Sequence, residues 1–176
     1  MHETFFTADL HFSHSNIIKY CARPYRDATH MNAMLIQNWN TRVLPTDCVY
    51  VVGDFAMGPK ERWPDFVKAL NGYKILVLGN HDRKKEYMLG IGFNEVHEET
   101  TYQGWKLCHI PIGLTGNVLC GHVHGAWRRH KDTTKDIVNC GVDVWDFTPR
   151  TFEELMAAPV DNGLNSKDLY NHGEQL

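Results

Sequence analysis

The sequence predicts an α/β protein in which two β-sheets pack together with helices outside. Two observations about order predict the fold class. In the first half, short β-branched runs alternate with segments of helical periodicity, and in the second half strand-like runs follow one another with only turns between them. A third observation sets the scale. The 176 residues suffice for one hydrophobic core and leave little room for another. Hydrophobic residues make up 43% and charged residues 22%, an ordinary globular balance.

Taken in order, the first strand is expected over Thr4–Ala8. In "THMNAMLIQNWNTRV" the apolar residues Met31, Met34, Leu35, Ile36 and Trp39 recur near helical spacing, with Asp27 or Thr29 as the cap. "DCVYVVG" is a buried strand closed by glycine. "KERWPDFVKAL" is a helix interrupted or begun at Pro64 and stopped by Asn71-Gly72. "GYKILVLG" supplies the next strand and "RKKEYMLG" a short helix. "NEVHEET", "TYQGWKLCHI", "NVLCGHVHG" and "DIVNCGVDVW" then read as strands. In "PRTFEELMAA", Thr151 and Glu154 form a capping-box pattern ahead of a last helix. There is no internal repeat or linker, so residues 1–158 are expected to form one domain, with 159–176 a polar, loosely held tail.

Charge and cysteine content narrow the function. The formal net charge is -3, which argues against holding extended duplex nucleic acid by bulk electrostatics. Five cysteines at positions 21, 48, 108, 120 and 140 form no CxxC pair, and four lie in or beside apolar runs. Free thiols in a reducing, cytoplasmic compartment are the simpler expectation. The N-terminus lacks the layout of a signal peptide, and no apolar stretch approaches a membrane span, so no membrane partner is expected.

The chemistry sits where apolar runs end. The first exits into "ADLHFSH", with Asp9 and His11 on one face if strand geometry persists. The second exits into "VVGDF", with Asp54, and the third into "LGNHD", with Asn80, His81 and Asp82. Later come "LCHIP", with His109, and "CGHVHG", with His122 and His124. Each motif alone is weak; the ordered set is not. In a layered α/β fold such loop-borne residues converge on one edge of the sheet. Carboxylates and imidazoles without a thiolate suit manganese, iron, nickel or zinc in an open site rather than a structural zinc knot.

On these motifs, spanning Asp9 to His124, the chain resembles the calcineurin-like metallophosphoesterases. "FTADLHFSHSNII" and "NCGVDVWDFTP" resemble a compact bacterial or phage-type branch. The resemblance implies a four-layer α/β/β/α sandwich of two packed mixed sheets flanked by helices, and two divalent transition-metal ions, manganese foremost. By it, Asp9, His11 and His124 hold one ion, Asn80, His109 and His122 the other, and Asp54 bridges them. Two cations about 3.5–4 Å apart can share a bridging hydroxide, the implied nucleophile, and clamp a phosphoryl group in line. His81 is then the leaving-group acid, a step worth roughly 10²–10⁴-fold. Asp82 is expected either to orient His81 or to cap the helix that follows.

Substrate contacts are harder to read. His14, Asn16 and Arg23 follow the first motif and are expected to face the site, although Asn16–Tyr20 also reads as a short solvated helix. Arg128 lies in "GAWRRHKDTTK", where a basic loop with an aromatic can hold a phosphate and stack a base. A solvated charge run is the commoner reading of such a loop. A chain this short has no cap domain, so the implied site is open. The expected substrate is a nucleotide or small phosphodiester, including cyclic nucleotides. A protein or nucleotide phosphomonoesterase is the alternative, then a nuclease, and outside enzymes a non-catalytic binding scaffold.

Overall fold

The computed structural model describes residues 2–113 and 115–161. In chain order, the first half holds β1 (Thr4–Thr7), α1 (Ser15–Tyr20), α2 (Ala28–Arg42), β2 (Cys48–Val52), α3 (Trp63–Ala69), β3 (Tyr73–Val77) and α4 (Lys85–Gly90). The second half holds β4 (Glu95–His97), β5 (Thr100–Tyr102), β6 (Trp105–Leu107), β7 (Gly116–Cys120), β8 (Arg129–Lys131), β9 (Lys135–Asn139), β10 (Arg150–Thr151) and α5 (Phe152–Met156). The strands form two five-stranded sheets, ordered β10-β1-β2-β3-β4 and β5-β6-β7-β9-β8. Both are mixed: β1 to β4 run parallel with β10 antiparallel at the edge, and β6, β7 and β9 run parallel between antiparallel β5 and β8. The molecule is an α/β sandwich of two sheets, as the pattern predicts, and both sheets are mixed.

The alternation of side chains along each strand explains the layers. Phe5, Val49, Val51 and Leu76 pack against Ile17, Leu35, Trp39, Phe66 and Met88 of the helices. Their neighbours Phe6, Val52 and Val77 turn the other way, onto Trp105, Leu107, Leu119 and Val138 of the second sheet. Strands buried on both faces read as continuous apolar runs, which is why these were legible. Helices α1 to α4 therefore cover the first sheet, while α5 adds Leu155 to the core between the sheets. The second sheet carries its own smaller cluster of Cys108, Val118, Cys120, Val123, Trp127 and Ile137. No described helix is long and apolar enough to cross a membrane.

Local signals resolve as follows. Asp27, not Thr29, caps α2, accepting from the His30 N–H at 2.8 Å. Pro64 falls in the first turn of α3, where its missing N–H costs nothing. The capping box at α5 is complete in both directions. "TYQGWKLCHI" folds back on itself: Gln103 (φ 47) and Gly104 (φ 81) turn β5 into β6. "DIVNCGVDVW" is also not one strand, because β9 ends at Asn139 and Val142–Val144 form a 3-10 turn. Asp161, in the segment expected to be loose, accepts from the N–H groups of Arg128 and Arg129. Residues 162–176 of that tail lie outside the described residues. All five cysteines are free thiols.

Candidate metal centre

The C-terminal ends of β1, β2, β3, β6, β7 and β9 meet at one rim of the sandwich. A bridge between Ala8 and Gly141 joins the two sheets there. β1 ends at Thr7, so Asp9 and His11 owe their common direction to a turn rather than to the pleat, a correction of the expectation from strand geometry. Asp9 (φ 57), His11 (φ 50), Asp54 (φ 55), His122 (φ 72) and His124 (φ 46) all adopt left-handed backbone. Such conformations cost about 1–3 kcal/mol each for non-glycine residues and persist only where surrounding structure enforces them. Here the enforcing bonds are visible. The N–H groups of Asp9 and His11 donate to the carbonyls of Gly53 and Asp54, both at 3.0 Å. The His122 N–H donates to both oxygens of the Asp9 carboxylate, at 3.0 and 3.1 Å.

Glycine in these motifs makes room. A Cβ at Gly79 would collide with the Asp54 carboxylate, and one at Gly53 would collide with the His109 ring. The glycine of one motif thus accommodates the polar side chain of another, which is how separate loops close onto a common centre.

Among the described residues three triplets result; Cys21, His124 and Asp143 form one behind the rim, and the other two share a residue. Asp9, His11 and His124 bring one ligand atom each within 4.8 Å of one another, and Asp9, Asp54 and His109 do the same. Asp9 belongs to both. Asp54 also lies between them, its Oδ2 3.6 Å from His11 Nε2 and 3.1 Å from His109 Nε2. Both ring nitrogens of His11 and Nε2 of His109 are buried without a hydrogen-bond partner. Buried polar atoms are normally satisfied, so nitrogens left bare beside carboxylates fit a cation. His109 Nδ1–H donates to the Val52 carbonyl and His124 Nδ1–H to Asp143, each at 2.9 Å, which fixes the ring orientation. The unused nitrogen of each ring is then available to the centre.

The electrostatics are those of a crowded, buried cluster. Burial depresses His11 strongly and raises Asp9. Burial opposes the charged form of His124 too, but Asp9 and Asp143 outweigh it and lift its pKa to about 10. His109 likewise overcomes burial through Asp54 and rises to about 9. Burial would raise Asp54, yet His109 and His11 hold it well below the usual carboxylate range. A bound cation would take the place of the protons on these imidazoles.

The remaining expected residues divide. His122 points its half-buried ring toward His109, the centroids 5.2 Å apart. His81 stands beside His11 at 5.6 Å between centroids, and its N–H donates to Asp54 Oδ1 at 3.0 Å. His14 lies 5.3 Å from His11, with Nδ1 buried and unpartnered. Asn80 is exposed at the rim, and Asn16 is exposed on α1 and makes none of these contacts. Three expectations are overturned. Arg23 is 4% exposed and cannot face substrate. Arg128 stacks over the Trp145 ring at 4.5 Å and donates to the Val144 carbonyl, which makes it a packing residue. Asp82 neither orients His81 nor caps α4, whose N-cap is Lys84. Its carboxylate accepts from the N–H groups of Asp54, Phe55 and Gly79, each at 2.9 Å, tying the β2 and β3 exits together. Burial raises the Asp82 pKa to about 6 despite those donors.

One residue was missed. Asp143 accepts from His124 Nδ1 at 2.9 Å and from Arg23 Nε and Nη2 at 2.8 and 2.9 Å. Arg23 in turn donates to the backbone carbonyls of Asp9 at 2.7 Å and Leu10 at 3.0 Å. This buried pair braces the triplet of Asp9, His11 and His124 from behind. Its signal was the "CGVD" exit of β9, hidden by reading residues 136–145 as a single strand.

No family model matches the chain. The uncharacterized protein MJ1445 of Methanocaldococcus jannaschii is 32% identical over 93% of this chain and 94% of its own. The Gene 66 protein of Mycobacterium phage D29 is 33% identical over 93% of this chain and 100% of its own. The chain belongs to their family. A protein of unknown function from Aquifex aeolicus, AQ665, has a crystal structure that superposes with a TM-score of 0.68 at 26% identity. That likeness covers 89% of this chain and 98% of the other.

Proposed function

We propose that this protein is a dinuclear metal-dependent phosphoesterase, acting as a phosphodiesterase on nucleotides or small phosphodiesters, cyclic nucleotides included. The observation that carries the proposal is the pair of buried triplets sharing Asp9, with bare nitrogens of His11 and His109 beside the carboxylates. Asp9, His11 and His124 would hold one ion. Asn80, His109 and His122 would hold the other, with Asp54 Oδ2, close to both His11 and His109, as the bridge. Two divalent transition-metal ions, manganese foremost and iron, nickel or zinc otherwise, would supply charge for the phosphoryl oxygens and a water activated at neutral pH.

The chain's own residues do the rest. His81 stands just outside the ligand set and protonates the departing alkoxide, a contribution of roughly 10²–10⁴-fold. Its backbone N–H donates to Asp54 Oδ1 at 3.0 Å, which ties the backbone of the acid to the bridge. An acid matters most for a poor leaving group, which favours an alkyl or nucleoside diester. His14, beside His11 with one nitrogen bare, would donate to a phosphoryl oxygen. Five free thiols suit a reducing, cytoplasmic setting.

The test is hydrolysis of bis(p-nitrophenyl) phosphate and p-nitrophenyl phosphate by metal-stripped protein refilled with manganese, nickel, zinc or magnesium, alongside elemental analysis. Two ions per chain and turnover of the diester over the monoester are expected. Preference for the monoester would make it a phosphatase, and two bound ions without turnover of either compound would remove the enzymatic reading.

A further inference from the structure

We infer that the cavity beside Asn80 and His109 is a subsite for a second anionic group, so that the substrate is a nucleotide-type phosphodiester carrying a phosphate beyond the scissile one. The inference deepens the phosphodiesterase reading and rests on it. The cavity has a volume of about 440 Å³, and its wall includes Leu78, Asn80, Arg83, Lys84, Glu98 and Ile110. Pockets for small ligands run from roughly 300 to 1,000 Å³ and combine apolar walls with a few convergent polar groups.

The polar groups here are uncommitted. Among the described residues, the side chains of Asn80, Arg83, Lys84 and Glu98 enter no hydrogen bond or ion pair, although neighbouring Glu99 pairs with Lys106 and Asp82 takes three N–H donors. A solvated charge run is the usual fate of exposed basic residues. The basic segment after the GHxH motif shows what commitment looks like. Arg129 and Lys131 pair with Asp136, and Arg128 covers Trp145. Among the described residues Arg83 and Lys84 have no such partners, and they line a cavity that reaches the candidate ligands His109 and Asn80.

The wall sets Arg83 and Lys84 against the carboxylates of Glu98 and Asp82; three backbone N–H donors already take up Asp82, and a guanidinium with an ammonium matches a phosphate well. Leu78 and Ile110, the latter 37% exposed, offer an apolar surface to a sugar or base. Glu98 offers an acceptor for a hydroxyl or an exocyclic amine. The wall includes Asn80 and Asp82 but not His81, whose ring turns to His11. The leaving alkoxide and the second phosphate would therefore occupy different parts of the site.

Binding to metal-stripped protein tests this without catalysis. Titrating 5′-AMP and adenosine by calorimetry should show AMP binding at least about tenfold more tightly, with the advantage weakening in salt. The double variant Arg83→Ala/Lys84→Ala should lose that advantage. Equal binding of the two compounds by the wild type, or an AMP preference that survives the double variant, overturns the subsite. With metal-loaded protein, a 5′-phosphorylated dinucleotide should have a KM about tenfold below its unphosphorylated counterpart, and the variant should erase the ratio. Diester turnover without that ratio sinks the subsite alone. Failure to turn over any diester sinks the phosphodiesterase reading, and the AMP titration still decides whether the cavity takes a phosphate.

Discussion

The two halves of the candidate centre are held in different ways. Asp9 and His124 are tied by side-chain charge: Asp143 grips the His124 ring while Arg23 binds both Asp143 and the backbone of Asp9 and Leu10. On the other side the clamp is a carboxylate on backbone, with Asp82 accepting from three N–H groups across the β2 and β3 exits. A buried ion pair is costly to break, about 3–5 kcal/mol when one partner is removed, and it closes its side of the site. The backbone clamp leaves Asn80, Arg83 and Lys84 at the surface, and the cavity opens there. The braced half is built to hold and the clamped half to admit.

Breaking the comparison altogether takes the carboxylate that faces both halves, Asp54, whose Oδ2 lies near His11 and His109. Asp54→Asn should reduce bound metal from two ions to fewer than one per chain and abolish turnover, read by elemental analysis on folded protein. Retention of both ions would show that Asp54 is no bridge. His81→Ala sharpens it next: both ions should stay while turnover of an alkyl or nucleoside diester, whose leaving group needs a proton, falls about 10²–10⁴-fold. Loss of metal in that variant would make His81 a ligand instead.

A smaller effect separates the halves. Asp143→Asn should weaken one ion by about 10–100-fold and leave the other, turning a single metal titration into two steps. If both ions weaken together, the halves are not independent. The smallest effect comes from outside both. Thr151→Ala, at the α5 cap, should cost about 1 kcal/mol in chemical denaturation and leave metal content at two. A change in metal binding there would mean the rim is coupled to the edge of the first sheet.

Most strands and five of the six exits were legible, because apolar runs buried on both faces end abruptly on Asp, Asn or His. Asp143 was not, since "NCGVDVW" keeps a strand-like composition after β9 has ended. Arg23 and Asp82 lie near DLH and NH in sequence, which makes them look like chemical residues. Their real partners lie elsewhere in the chain, Arg23 with Asp143 and Asp82 with Asp54 and Phe55. Arg128 shows the same limit, because a guanidinium before a strand gives no hint that Trp145 will lie beneath it.

The sequence by itself determined the layered α/β architecture and the chemical character of the centre, because periodicity and residue type are local properties. Only the tertiary structure decided which carboxylate touches both triplets, which cations are spent on the protein's own acids, and which remain free at a cavity. Those outcomes depend on contacts between segments far apart in sequence, and on left-handed turns that neighbouring loops enforce through hydrogen bonds no single segment contains.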